Sequence, residues 1–210
     1  MAPMIRILGK ASSINVRKVL WACDEIGVAY TREDWGSGFR DTLDPAFLAL
    51  NPNALVPVIV DGDFVLWESN TILRYLAGAY GAASLLPSEP RARALVEKWM
   101  DWQASDFNAS WRYAFQALVR HNPAFADAGE IASSLAAWQK HIDILEGQLA
   151  RTDHVAGPDF TLADIPIGLS LNRWFMTEVP ARPARPAVEA YLERLSLRPA
   201  FLRHGRNGIV

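Results

Sequence analysis

Apolar residues recur at two different spacings in the first 80 residues and at one spacing afterwards. "MIRIL" at 4 to 8 is a short buried run, and a polar turn, "GKASSIN", separates it from Val16, Val19, Leu20, Cys23 and Ile26 at helical spacing. Gly27 closes that helix. "VAYTREDW" has strand character, and "DPAFLALNP" offers a short helical turn with Asp44 and Pro45 at its start. "VPVIV" and "FVLW" flank "DGD", the chemistry of a tight hairpin, after which Ile72, Leu73 and Leu76 begin another helical face. The predicted order is strand, helix, strand, helix, strand, strand, helix.

Small residues and prolines at 81 to 90, "GAASLLPSEP", read as a linker. Beyond it the period is helical throughout. Phe107, Trp111 and Phe115 recur every fourth position, and Ile131, Leu135, Trp138, Ile142, Leu145 and Leu149 alternate steps of four and three. "TLAD" at 161 to 164 has the form of a capping box, with Thr161 accepting from the third helical N–H and Asp164 reaching back. The fold class expected is α/β plus all-α, with an N-terminal domain over 1–80 and a helical-bundle domain over 90–210.

With 210 residues, half of them apolar, the chain can bury substantial cores without staples. A net charge of −2 with interspersed signs argues against nucleic acid as a partner. No window approaches the roughly 18 apolar residues of a membrane span, and "MAPMIRILGK" lacks a signal-peptide core, so a soluble, cytoplasmic protein is expected. The single cysteine, Cys23, rules out an internal disulfide framework. Histidines 121, 141, 154 and 204 form no ligand spacing with it, so no metal is expected.

The stretch "NALVPVIVDGDFVLWESNTILRYL", residues 53 to 76, carries the most chemistry. Pro57 can simply open a strand, and Ser69 can simply cap a helix. Together they allow something more specific. A cis Pro57 would leave the N–H and C=O of Val56 to pair with an extended peptide, and a nearby helix start would take that ligand's carboxylate.

"ASSINVRKVL", "NPNALVPVI", "WESNTILRYL", the linker and "GPDFTLADIPIG", in this order and spacing, resemble the cytosolic glutathione transferases, particularly bacterial members similar to the theta, zeta and nu classes. The resemblance runs the whole length. It implies a thioredoxin-like N-terminal domain, an all-helical C-terminal domain, a homodimer, and glutathione as co-substrate. Carried over by position, Val56 beside cis-Pro57 would pair with the cysteinyl unit, while Glu68 and Ser69 hold the γ-glutamyl end. Asn53 lies where a side chain often meets the glycyl end, with Arg40 or another base needed for that carboxylate. A small apolar electrophile would bind between the domains, against the helix carrying Asn108, Trp111, Arg112 and Phe115, although aromatics at that spacing are more often core.

A transferase of this kind must favour the glutathione thiolate, since a thiol of pKa near 8.5 is only a few per cent ionised at neutral pH. The donor belongs at the start of the first helix, where backbone N–H groups also favour an anion. Ser12, Ser13 and Asn15 are available there. No tyrosine precedes Tyr30, so a tyrosine-based version is absent, and Cys23 lies downstream on the apolar face as a buried inert thiol. A theta-like alignment selects Ser12, which ranks first, and a nu-like one selects Asn15 with Ser13 beside it. Each is equally a cap former. Alternative functions on the same fold are a non-catalytic glutathione or apolar-ligand binding protein, a disulfide-bond reductase or peroxidase, and a specialised isomerase or dehalogenase.

Overall fold

The computed structural model describes residues 4–180 and 182–210, which form two compact units. One comprises the chain up to Pro87 together with Ala200–Ile209, and the other Ser88–Pro199 together with Val210. In this division residues 81–87 and 200–209 go with the N-terminal unit.

The first unit is thioredoxin-like. Strands β1 (Ile5–Leu8), β2 (Tyr30–Glu33), β3 (Val58–Asp61) and β4 (Phe64–Trp67) form one mixed sheet in the order β2-β1-β3-β4. β1 runs parallel to β2 and antiparallel to β3. Parallel pairing needs a crossover, which is helix α1 (Ile14–Ile26). β3 and β4 close through Gly62 and Asp63, with Asp61 opposite Phe64 and Gly62 at φ +63°. α2 (Pro45–Leu48) starts on Asp44, whose side chain accepts from the Ala46 N–H. α3 (Ser69–Ala79) follows the hairpin directly. Ile5, Ile7, Val16, Val19, Cys23, Ile59, Ile72, Leu73 and Leu76 are buried, as the two periods require. Leu8, Trp35, Phe47 and Val58 form a second cluster, against which Val56 packs.

The C-terminal residues join this unit through specific contacts. Phe201, in the short helix Pro199–His204, packs on Trp21 with ring centroids 4.9 Å apart. Asp24 accepts from Arg203 at 2.7 Å and from His204 Nε2 at 2.9 Å. Arg17, 1% exposed, donates to the Ile209 carbonyl at 2.8 Å, and burial lowers its pKa to about 10.

The second unit is helical: α4 (Pro90–Trp102), α5 (Asn108–Leu118), α6 (Ala128–Leu149), α7 (Asp164–Met176) and α8 (Pro186–Ser196). A π-helical turn, Gln103–Phe107, joins α4 to α5. The "TLAD" box is only half of what its sequence implies. Asp164 does reach back to the Thr161 N–H at 2.8 Å, but the Thr161 hydroxyl donates to Asp164 at 3.2 Å instead of accepting from a helix N–H. The same carboxylate also accepts from the Val155 N–H at 3.0 Å and the Tyr191 hydroxyl at 2.8 Å. It is fully buried, and burial pushes its pKa upward against the pull of these donors. Asp164 is thus a buried hub joining the loop before α7, α7 itself and α8.

Candidate functional site

The first unit brings two helix N-termini into one small pocket. It is lined by Asn15 from α1, Glu68 and Ser69 from the start of α3, and Asn51, Asn53, Leu55, Val56 and Pro57 from the segment before β3. The convergence is set by close packing. Gly9 has φ +152°, and a Cβ there would lie 2.5 Å from Val16 Cγ2 and 3.0 Å from Val56 Cβ, so glycine lets the Val56 segment sit against α1.

The Val56–Pro57 peptide bond is cis, as the sequence led us to expect. Among the described residues no turn, loop or cap hydrogen bond involves the Val56 N–H or C=O. Glu68 is the N-cap of α3 at φ +73°, a region that costs a non-glycine residue about 1 to 3 kcal/mol and is concentrated at binding sites. Its side chain does not cap the helix. Ser69, 7% exposed, donates from its hydroxyl to Asn15 Oδ1 at 3.4 Å. α1 is similar: Ser13 is its N-cap, yet makes no side-chain capping bond. By contrast α2, α4 and α6 are closed by Asp44, Glu89 and Asp127. First-turn N–H groups lack intrahelical partners, so the two converging ends form a positively polarised lip suited to an anionic, peptide-like ligand.

The other candidates divide. Asn53 lines the pocket, and its N–H and amide both donate to Asn51 Oδ1 at 3.0 Å. Asn51 was not singled out by the sequence; it is 2% exposed and ties the segment together by donating to the Leu55 carbonyl at 2.8 Å. Arg40 does not line the pocket: it pairs with Glu33 at 3.2 Å and lies over the Trp35 ring. Ser12 is half-buried in the turn before α1, and neither it nor Ser13 belongs to the pocket lining.

In the helical unit, Trp111 and Phe115 are buried, and the guanidinium of Arg173 lies 4.6 Å and 4.0 Å from their ring centroids. They serve the interior of that unit. Asn108 is half-buried and Arg112 exposed. A cavity of about 740 Å³ opens elsewhere in the same unit, with Leu118, Ile131, Leu135, Phe175, Met176 and Val179 on its apolar wall. Among the described residues no three His, Cys, Asp or Glu side chains are grouped for a metal ion, and no helix is long and apolar enough to cross a membrane.

Cys23 is fully buried, and burial followed by the charge of Asp24 raises its pKa to about 12. The native protein should therefore resist a thiol-specific reagent at pH 8 and react fully once unfolded. Rapid labelling of the folded protein would contradict this.

A thioredoxin-like unit whose cis-proline pocket lies beside uncapped helix ends, followed by a helical unit, defines a class of two-unit proteins with an N-terminal pocket suited to an anionic, peptide-like ligand. Comparison with known proteins specifies it further. The family profile "Glutathione S-transferase, N-terminal domain" matches residues 12–79 and "Glutathione S-transferase, C-terminal domain" matches residues 111–199. The chain is 36% identical over 199 residues to glutathione S-transferase GstB of Escherichia coli, covering 94% of this chain and 95% of that protein. It is 37% identical over 212 residues to glutathione S-transferase 3 of Zea mays, covering 96% and 92%. Among solved structures, the theta class glutathione S-transferase of Xanthomonas axonopodis pv. citri with glutathione bound superposes with a TM-score of 0.92 at 40% identity, over 99% of this chain and 100% of that one. The chain belongs to the glutathione S-transferase family.

Proposed function

We propose that this transferase binds glutathione in the Val56–Ser69 pocket and holds its sulfur as thiolate for attack on an apolar electrophile. The observation that carries the reading is the convergence of the uncapped α1 and α3 termini beside the backbone of Val56. In this reading the γ-glutamyl carboxylate takes the Ser69 hydroxyl and the α3 N–H groups, Glu68 pairs with the ammonium, and Val56 pairs with the cysteinyl unit next to Pro57. Asn53 faces the glycyl end. Arg40 pairs with Glu33 outside the pocket lining, so reaching the glycyl carboxylate would require it to leave that exposed ion pair.

The thiol donor stands at the start of α1. One hydrogen bond to a charged acceptor contributes roughly 1.5 to 3 kcal/mol, enough to lower a thiol pKa by about one to two units. Ser12 keeps first place from the theta-like alignment. Asn15, which lines the pocket, and Ser13, whose hydroxyl is not spent on capping, stand close behind it.

The carbon–sulfur bond forms as a leaving group departs, and such conjugation in the cytoplasm would serve detoxification. The exposed Leu55, Phe64 and Trp67 of the first unit suit burial by a second copy, hence a homodimer. The apolar cavity of the helical unit supports a second reading, a carrier of apolar ligands with no turnover. Calorimetric titration with glutathione and turnover of an activated aryl halide separate the two. Saturable binding with turnover is expected; binding of the halide alone, with no glutathione affinity, would favour the carrier.

A further inference from the structure

Asn15 stands exposed on the first turn of α1, yet its side chain reaches the buried Ser69 across the pocket. Ser69 Oγ lies 3.4 Å from Asn15 Oδ1, so the hydroxyl proton is directed at the amide oxygen. A carboxylate can only accept. Ser69 has one proton, and to meet an anionic ligand it must turn that proton away from Asn15, leaving its lone pairs beside a carbonyl oxygen that repels them. Half a turn of the Asn15 amide removes the conflict by presenting Nδ2–H to the same Oγ.

We infer that Asn15 is a positioning residue for the anion end of the pocket: with a carboxylate bound, Asn15 Nδ2 donates to Ser69 Oγ while Ser69 donates to the carboxylate. Without ligand the amide oxygen holds the hydroxyl. The relay links the first turn of α1, next to the serine pair, to the carboxylate on α3. It also gives Asn15 work distinct from donation to the sulfur. This inference rests on the glutathione reading of the pocket.

A double-mutant cycle on glutathione affinity, measured by calorimetry beside a thiolate absorbance titration of each complex, tests it. Contacting residues couple, so Asn15→Ala should weaken binding about fivefold or more in the wild-type background and less than about twofold beside Ser69→Ala. Because Asn15 then acts on Ser69 and not on the sulfur, this inference, unlike the reading of Asn15 as thiol donor, requires the bound thiol's pKa to be the same with and without Asn15. Asn15→Asp keeps the shape but can only accept and adds a negative charge, so it should weaken binding more than Asn15→Ala. An acidic side chain in the first turn favours the helix, so that loss is not explained by unfolding. Equal losses in both backgrounds would overturn the inference, as would an upward shift of the thiol pKa in Asn15→Ala with unchanged affinity. Absence of glutathione binding by the wild-type protein would overturn the pocket reading and this inference with it, a result distinguishable from lost coupling alone.

Discussion

Asp164→Ala is expected to lower the stability of the helical unit by about 3 to 5 kcal/mol, well beyond the loss of a surface cap. The carboxylate satisfies the N–H groups of Val155 and Thr161 and the hydroxyls of Thr161 and Tyr191, all in a site closed to water. Removing it leaves these donors buried without an acceptor, at about 1 to 3 kcal/mol for each that cannot find another partner. Thr161→Ala removes only one donor and should cost about 0.5 to 1.5 kcal/mol. The denaturant midpoint followed by tryptophan fluorescence measures both, because Trp111, Trp138 and Trp174 are buried in this unit. A loss below about 1 kcal/mol for Asp164→Ala would mean that water or local rearrangement supplies the missing acceptor.

Ser69→Ala carries the second large effect, on binding. The hydroxyl is the only side-chain donor at the first helical position of α3, and a hydrogen bond to a charged group contributes roughly 1.5 to 3 kcal/mol. Glutathione affinity should therefore fall roughly 10- to 150-fold. The fold should persist, because Ser69 does not supply the N-cap of α3 and alanine is an excellent helix former. Unchanged affinity in a folded Ser69→Ala protein would remove the carboxylate from this helix end.

The sequence made the local elements legible because period two and period 3.6 are properties of neighbouring residues, and the turn chemistry at Gly27 and Gly62 agrees with them. Val56, Pro57, Glu68 and Ser69 were legible as a group because one hairpin places them together. What it hid depended on distant partners. Nothing in "PAFLRH" says that Phe201 meets Trp21, or that Arg203 and His204 meet Asp24, so these long-range contacts were not legible. The contacts of Arg40 with Glu33 and with the Trp35 ring were likewise not legible. Trp111 and Phe115 lie beneath Arg173, a cation in the last turn of α7 that is far from both in sequence. Asn51 could have been found: an asparagine before proline is a turn former whose side chain bonds the following backbone.

The central claim is that the pocket holds glutathione as a thiolate at the start of α1, and a thiolate absorbance titration of the glutathione complex tests it most directly. A bound thiol ionising about two units below the free value near 8.5 is predicted, with Ser12→Ala or Ser13→Ala raising it by about one unit or more. Each such unit should reduce turnover at neutral pH by about tenfold, with part of the rate recovered as the pH rises. A bound thiol that titrates like free glutathione in the wild-type protein would contradict the account.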